Sequence, residues 1–150
     1  MLAEGYRRKA WHGPNLAAAT RGLSPAQRAF RPGPGRHNVW EETVHAAYWK
    51  HIAAARLTGE RRRFPLRGSN WFASPAPVTA TEWAAARALL RESDAALAAA
   101  VGALPRTGSR LDAARRFDLL LGIACHDAYH AGQIQLLRRM AGKGQGARAR

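Results

Sequence analysis

FDLLLGIACHDAYHAGQIQLLRRM, residues 117–140, carries apolar residues at three- and four-residue steps with two histidines in the same register. Leu119, Ile123, His126, His130, Ile134 and Leu137 share one helical face, so the spacing predicts a helix whose core-facing stripe contains His126 and His130. At i and i+4 their Cβ atoms stand about 5–6 Å apart, close enough for both imidazoles to bind one ion. Unpaired imidazole nitrogens are costly in a core, and a metal satisfies two at once. This helix is expected to start near Asp112 and to run to Gly142.

The rest of the chain also reads as helix. GPNLAAATRG, residues 13–22, is expected to form a first helix, with Pro14 in its first turn and Gly22 at its end. Ser24, Pro25 and Gln27 make a capping box for a short second start, and RPGPGR at 31–36 breaks the chain. A long helix opens at Asn38, with Glu41 as the returning carboxylate, and runs to Gly59. Thr79 and Glu82 form a third box, opening a helix that stops before Pro105. Strand-like alternation and internal repeats are absent from the sequence. The fold expected is all-α, a four-helix bundle.

Connection lengths set the topology. The third and fourth long segments are joined by a few residues, which makes them antiparallel neighbours. Between the second and third lies GERRRFPLRGSNWFASPAPV, residues 59–78, twenty residues with three prolines. Twenty extended residues span up to roughly 66 Å, twice the roughly 32 Å of a helix of about 21 residues. The connection can therefore travel back along the bundle and leave its two flanking helices parallel, a reason for so long a loop.

His45 supplies a third ligand to the pair. It shares the apolar stripe of its helix with Tyr48, Trp49, Ile52 and Glu41 or Glu42. In the crossover topology that helix runs antiparallel to the one bearing His126 and His130. His45 then lies about 10 Å from one end, and His130 about 16 Å from the matching end, so the three converge within a turn. His51 points to another face, and His37 and His12 fall before helices, where capping or surface roles are expected. HDAYH also resembles the zinc-protease pattern H-E-x-x-H. Asp127 at the glutamate position is one methylene short, however, and neither histidine nor acid follows downstream.

Composition bounds the remaining possibilities. The 150 residues suit one domain, and 47% hydrophobic with 23% charged residues is globular composition. Cys125 is the single cysteine, which excludes an intrachain disulfide and a cysteine zinc finger. It is expected to pack in the core rather than act as a nucleophile. No run approaches the roughly 18–20 apolar residues of a membrane span. The N-terminal MLAEGYRRKAWHG lacks the apolar segment of a secretory signal, so a cytoplasmic protein is expected.

The formal charge of +14 comes mostly from 21 Arg, against 3 Lys. Such charge invites a nucleic-acid partner, but only Arg61–Arg63, Arg138–Arg139 and the tail form clusters. A joint Ala and Arg excess is what GC-rich coding produces without a binding surface. Nucleic acid is therefore not the expected partner, and no recognition-helix motif is present.

HNVWEETVHAAYWK (37–50) and GIACHDAYHAGQIQLL (122–137) resemble the two signature segments of the DinB superfamily of bacterial proteins. WHGPNL with the Ser-Pro segment after it, and the Asn-Trp pair of the crossover, fit the same resemblance, which covers most of the chain. It implies an up-down-down-up four-helix bundle over residues 1–142; the Gly- and Arg-rich residues 143–150 are expected to form a frayed basic tail. It also implies one divalent ion, nickel or zinc, held by His45, His126 and His130. Some relatives transfer a thiol using bacillithiol, and a mycothiol-dependent maleylpyruvate isomerase shares the bundle. The resemblance thus implies a metal-dependent transferase, with a low-molecular-weight thiol as co-substrate, or a hydrolase of unspecified substrate.

Three neutral imidazoles leave coordination positions open, and such a site activates water or a thiolate. Gln133, one turn beyond His130, is a candidate to hold water or a substrate carbonyl. Asp127, Glu41 and Glu42 are candidates to orient an imidazole through its second nitrogen. The alternative is a metal-stabilised, non-catalytic homodimer joined through an apolar helix face. A structural zinc ordinarily takes four protein ligands, and three are found, which favours the open site.

Overall fold

The computed structural model describes residues 2–11, 13–60, 63–104 and 110–146. Among them are six helices and no strand: α1 (Leu2–Tyr6), α2 (Leu16–Ala19), α3 (Pro25–Ala29), α4 (Val39–Thr58), α5 (Ala80–Gly102) and α6 (Arg110–Gly146). His12, Arg61, Arg62, Pro105 and the end of the tail lie outside the described residues.

The three capping boxes form as their residue types dictate. Asn38 accepts from the Glu41 amide at 2.9 Å while Glu41 accepts from the Asn38 amide at 3.1 Å. Ser24 with Gln27 and Thr79 with Glu82 repeat the arrangement. Gly59 ends α4 in the left-handed conformation, φ 74°, which glycine adopts without steric cost.

Two stretches depart from the sequence reading. The expected helix over 13–22 shrinks to the four residues of α2, because the N-cap falls on Asn15, which leaves Pro14 just outside, and Thr20 closes the other end. At the other end of the chain, α6 continues through Gly142 to Gly146, four residues past the expected stop. A helix-interior glycine costs about 1 kcal/mol but does not by itself end a helix.

Helix α1 was not expected at all. It is too short for periodicity to register, and it forms because Gly5 brings it onto α6. A Cβ at Gly5 would stand 3.2 Å from both the Ala124 carbonyl oxygen and the Asp127 Cβ. Along the same helix, Gln27 donates to the Arg138 carbonyl at 3.3 Å, so the segment from α1 to α3 follows α6 in one direction.

Helix α4 is the hub, packed along both α5 and α6. Trp40 donates to the Glu82 carbonyl at 3.4 Å, and Ala54 shares a cluster with Leu97 and Ala100, so α4 and α5 run parallel. Against α6 the order reverses: Glu42 meets His130, while Ala53 and Ala54 meet Ile123. The crossover makes this possible, and it is not structureless filler. Its Phe64, Phe72 and Val78 are buried in the core, with Tyr48 5.3 Å and 5.6 Å from the two phenylalanine rings.

The core is two apolar clusters with a charged layer between. One holds Val44, Ala47, Leu90, Ala131 and Ile134; the other holds Ala53, Leu97 and Ile123. In sequence between them fall Lys50, Asp94 and Asp127. The Lys50 ammonium is fully buried, 3.0 Å from Asp94 and 2.6 Å from Asp127. It also stands 4.8 Å from the centre of the Tyr6 ring. Removing one partner of a buried ion pair costs about 3–5 kcal/mol. Lys50→Met is therefore expected to lose about that much stability, seen as a lower urea midpoint at unchanged m. Adding Asp94→Asn and Asp127→Asn should restore part of it, because the orphaned charges then disappear.

Candidate metal centre

His45 sits two turns into α4, and His126 and His130 face it from one side of α6. The Nε2 atom of His126 lies 3.1 Å from Nε2 of His45 and 3.0 Å from Nε2 of His130. Three nitrogens bound at about 2.0–2.1 Å to one ion stand roughly 3.0–3.4 Å apart. The spacing therefore fits a shared ion. Among the described residues no fourth histidine, cysteine or acid joins the group.

The second nitrogens decide which tautomer each ring takes. His45 Nδ1 lies 2.9 Å from the Asn70 carbonyl oxygen, which can only accept, so Nδ1 carries the proton and Nε2 the lone pair. His130 Nδ1 donates to the Glu42 carboxylate at 2.5 Å, with the same consequence. Two lone pairs thus converge on His126 Nε2, whose single hydrogen could serve only one of them. A cation serves all three. His126 Nδ1 is buried and has no hydrogen-bond partner among the described residues.

Burial keeps two of the rings neutral. Desolvation lowers the pKa of His45, opposed by the Asn70 carbonyl and reinforced by His130. For His126, desolvation and then the neighbouring His130, His45 and Lys50 lower it to about 3. The neutral imidazole is the metal-binding form.

The crossover builds one wall of the site. Asn70 adopts φ 63°, a left-handed conformation that asparagine tolerates better than most residues. In that conformation its carbonyl meets His45 while its Oδ1 accepts from Trp49 Nε1 at 3.0 Å. Trp71 follows, sandwiched between two imidazoles: 3.6 Å from the ring centre of His37 and 3.8 Å from that of His45, nearly parallel to both. His37, expected in a capping or surface role, stands 3.3 Å from Glu41 in the first turn of α4 and is also the outer layer of a stack that ends on His45. Asn70 and Trp71 have no role in the sequence reading beyond the Asn-Trp dipeptide of the resemblance, and the stacking of His37 has none.

Of the candidate orienting groups, Glu42 reaches an imidazole of the cluster and the other two are used elsewhere. Glu41 grips Arg31 through both oxygens at 2.7 Å and 2.6 Å and accepts from the Ser74 amide at 3.2 Å. Burial would raise its pKa, but the Arg31 hydrogen bond, with those of the Asn38 and Ser74 amides, holds it below the usual carboxylate range. Glu41 therefore ties the crossover to the start of α4. Asp127 turns away from the imidazoles to Lys50, and burial, against the pull of Lys50, raises its pKa to about 6.

Gln133 is half-buried and makes no hydrogen bond to the cluster among the described residues. His51 packs edge-on against Phe64, 5.4 Å away, on another face of α4. Cys125, expected in the core, is exposed, because one residue before His126 the helix has already turned outward.

A family model for the DinB superfamily matches residues 10–134, which span all three histidines and the crossover. No curated protein and no solved structure matches the chain. With five-sixths of its length matched, the chain belongs to the DinB superfamily.

Proposed function

We propose that His45, His126 and His130 hold one divalent ion per chain, zinc or nickel, within an up-down-down-up bundle. On this reading the protein is a metal-dependent transferase acting with a small thiol, or a hydrolase. The observation that carries it is the convergence of three Nε2 atoms from two helices, two of them with the second nitrogen already committed to an acceptor.

A bound divalent ion supplies a Lewis acid that lowers the pKa of a thiol or water sharing the site. The chain's own groups do the rest. Glu42 and the Asn70 carbonyl fix two tautomers, Trp71 stacks on His45 and sets its ring plane, and Trp49 stands edge-on to His45 and His126. The open side of the cluster is where a substrate approaches.

A second reading, a metal-stabilised homodimer, is favoured by one feature. Phe117, Leu121, Tyr129, Leu136 and Met140 form an exposed row along α6, an apolar helix face of the kind that subunits bury.

Metal per chain is the deciding measurement. Wild type and His51→Ala should each carry about one ion by elemental analysis, and His45→Ala and His126→Ala essentially none. Equal content in all four would defeat the assignment. Glu42→Ala should keep the helical fold but weaken metal binding about 10–100-fold in chelator competition, since the His130 Nδ1 proton loses its acceptor.

A further inference from the structure

Of the six large hydrophobic residues exposed among the described residues, five stand on α6: Phe117, Leu121, Tyr129, Leu136 and Met140. We propose that the same face of a second copy covers them, the two α6 helices packing antiparallel about a two-fold axis that passes between positions 128 and 129. The proposal rests on the homodimer reading above and gives it a surface, a direction and a register.

The distribution of charge along the helix carries it. From Phe117 to Met140, about 35 Å of helix, the exposed positions hold only two charges, Asp118 at one end and Arg139 at the other. Neither side chain has an ion-pair partner among the described residues. In a chain of formal charge +14, a face whose few charges balance is where two copies meet with least repulsion.

A two-fold axis turns one helix end for end against the other. With the axis between 128 and 129, Asp118 faces the partner's Arg139 and Phe117 faces the partner's Met140. The same axis sets Leu121 against the partner's Leu136 and Cys125 against the partner's Gly132. Opposite charges thus meet at both ends. Small residues meet near the axis, where two crossed helices approach most closely, and bulky ones fill the space where the helices diverge. Other registers lose this match. A slip of one turn either way leaves Phe117 facing the partner's Gly144 or Met140 facing the partner's Ala113, and parallel pairing sets each charge against its own kind. The antiparallel arrangement also brings the partner's Gln135 and the partner's Arg139 to the edge of the open groove that Trp49, Gly122 and His126 border.

Sedimentation equilibrium of the full chain is expected to give the mass of two subunits. Asp118→Arg and Arg139→Asp should each weaken the dimer by about tenfold, because either reversal puts like charges face to face at both ends. The double reversal, Asp118→Arg with Arg139→Asp, should restore wild-type association. All three variants should keep wild-type helical circular dichroism. Cys125, the single cysteine, reports the direction of pairing. Antiparallel helices hold the two Cys125 residues about 10 Å apart along the axes, too far for a disulfide. Copper phenanthroline should therefore leave the dimer unlinked, while bismaleimidohexane joins it. A monomeric wild type overturns both the proposal and the homodimer reading. A dimer indifferent to the single reversals, one that the double reversal does not restore, or one that oxidises to a Cys125 disulfide overturns the pairing and leaves the homodimer reading standing.

Discussion

An ammonium group with no access to water organises this molecule. Desolvating Lys50 costs several kcal/mol unless opposite charges surround it, and here α5 supplies Asp94 and α6 supplies Asp127. Tyr6 of α1 adds its ring face, and Arg7 approaches Asp94 at 3.8 Å, so the N-terminal segment is drawn to the same point. Hydrophobic contacts tolerate sliding between helices; a buried charge with two fixed partners does not. The register of α4 against both neighbours is therefore set at Lys50, between the two apolar clusters.

That register is what brings the histidines together. Asp127 adjoins His126 in sequence, and Lys50 lies five residues beyond His45. Pinning Asp127 to Lys50 fixes the rotation of α6, and with it the direction of His126 and His130. One turn away, the hydrogen bond from His130 to Glu42 repeats the constraint. The crossover then closes the remaining side, held at one end by Glu41 through Ser74 and at the other by Phe64 and Phe72 in the core. Asn70 and Trp71 are placed against His45 by these anchors.

Local chemistry was legible in the sequence, and of the long-range chemistry only what a periodic apolar stripe carries, the approach of His45 to the histidine pair, could be read. A capping box is written in four consecutive residues, and three of them marked helix starts correctly. His126 and His130 were visible as a pair because four residues bring them to one face. Lys50 was invisible for the opposite reason: a lysine in a helix reads as solvated, and only the meeting of two aspartates from other helices buries it. Trp71 and Asn70 lie in a stretch without periodicity, so nothing local announced that the loop bends back onto His45. Cys125 was misplaced because cysteine usually packs inside, whereas its neighbour His126 already occupies the inward face. The arginines follow the same pattern. Arg31 clamps Glu41, and Arg28 lies 5.8 Å over the Trp83 ring and donates to the Leu23 carbonyl at 2.9 Å, so part of the basic surplus serves the fold.

The three imidazoles are not equivalent, and the difference bears on how the site would work. His45 and His130 have both nitrogens assigned, one to an acceptor of the fold and one to the cluster, so their rings are locked in plane and tautomer. His126 has no such tether: its Nδ1 is buried without a partner, a condition that costs about 1–3 kcal/mol where it persists. It is also the one imidazole of the three that borders the open groove between Trp49 and α6. The two locked rings can define a site while the third is held only by packing. If an ion is held there, His45 and His130 would meet it with rings already fixed by the fold, and His126 would meet it with a ring placed by packing alone.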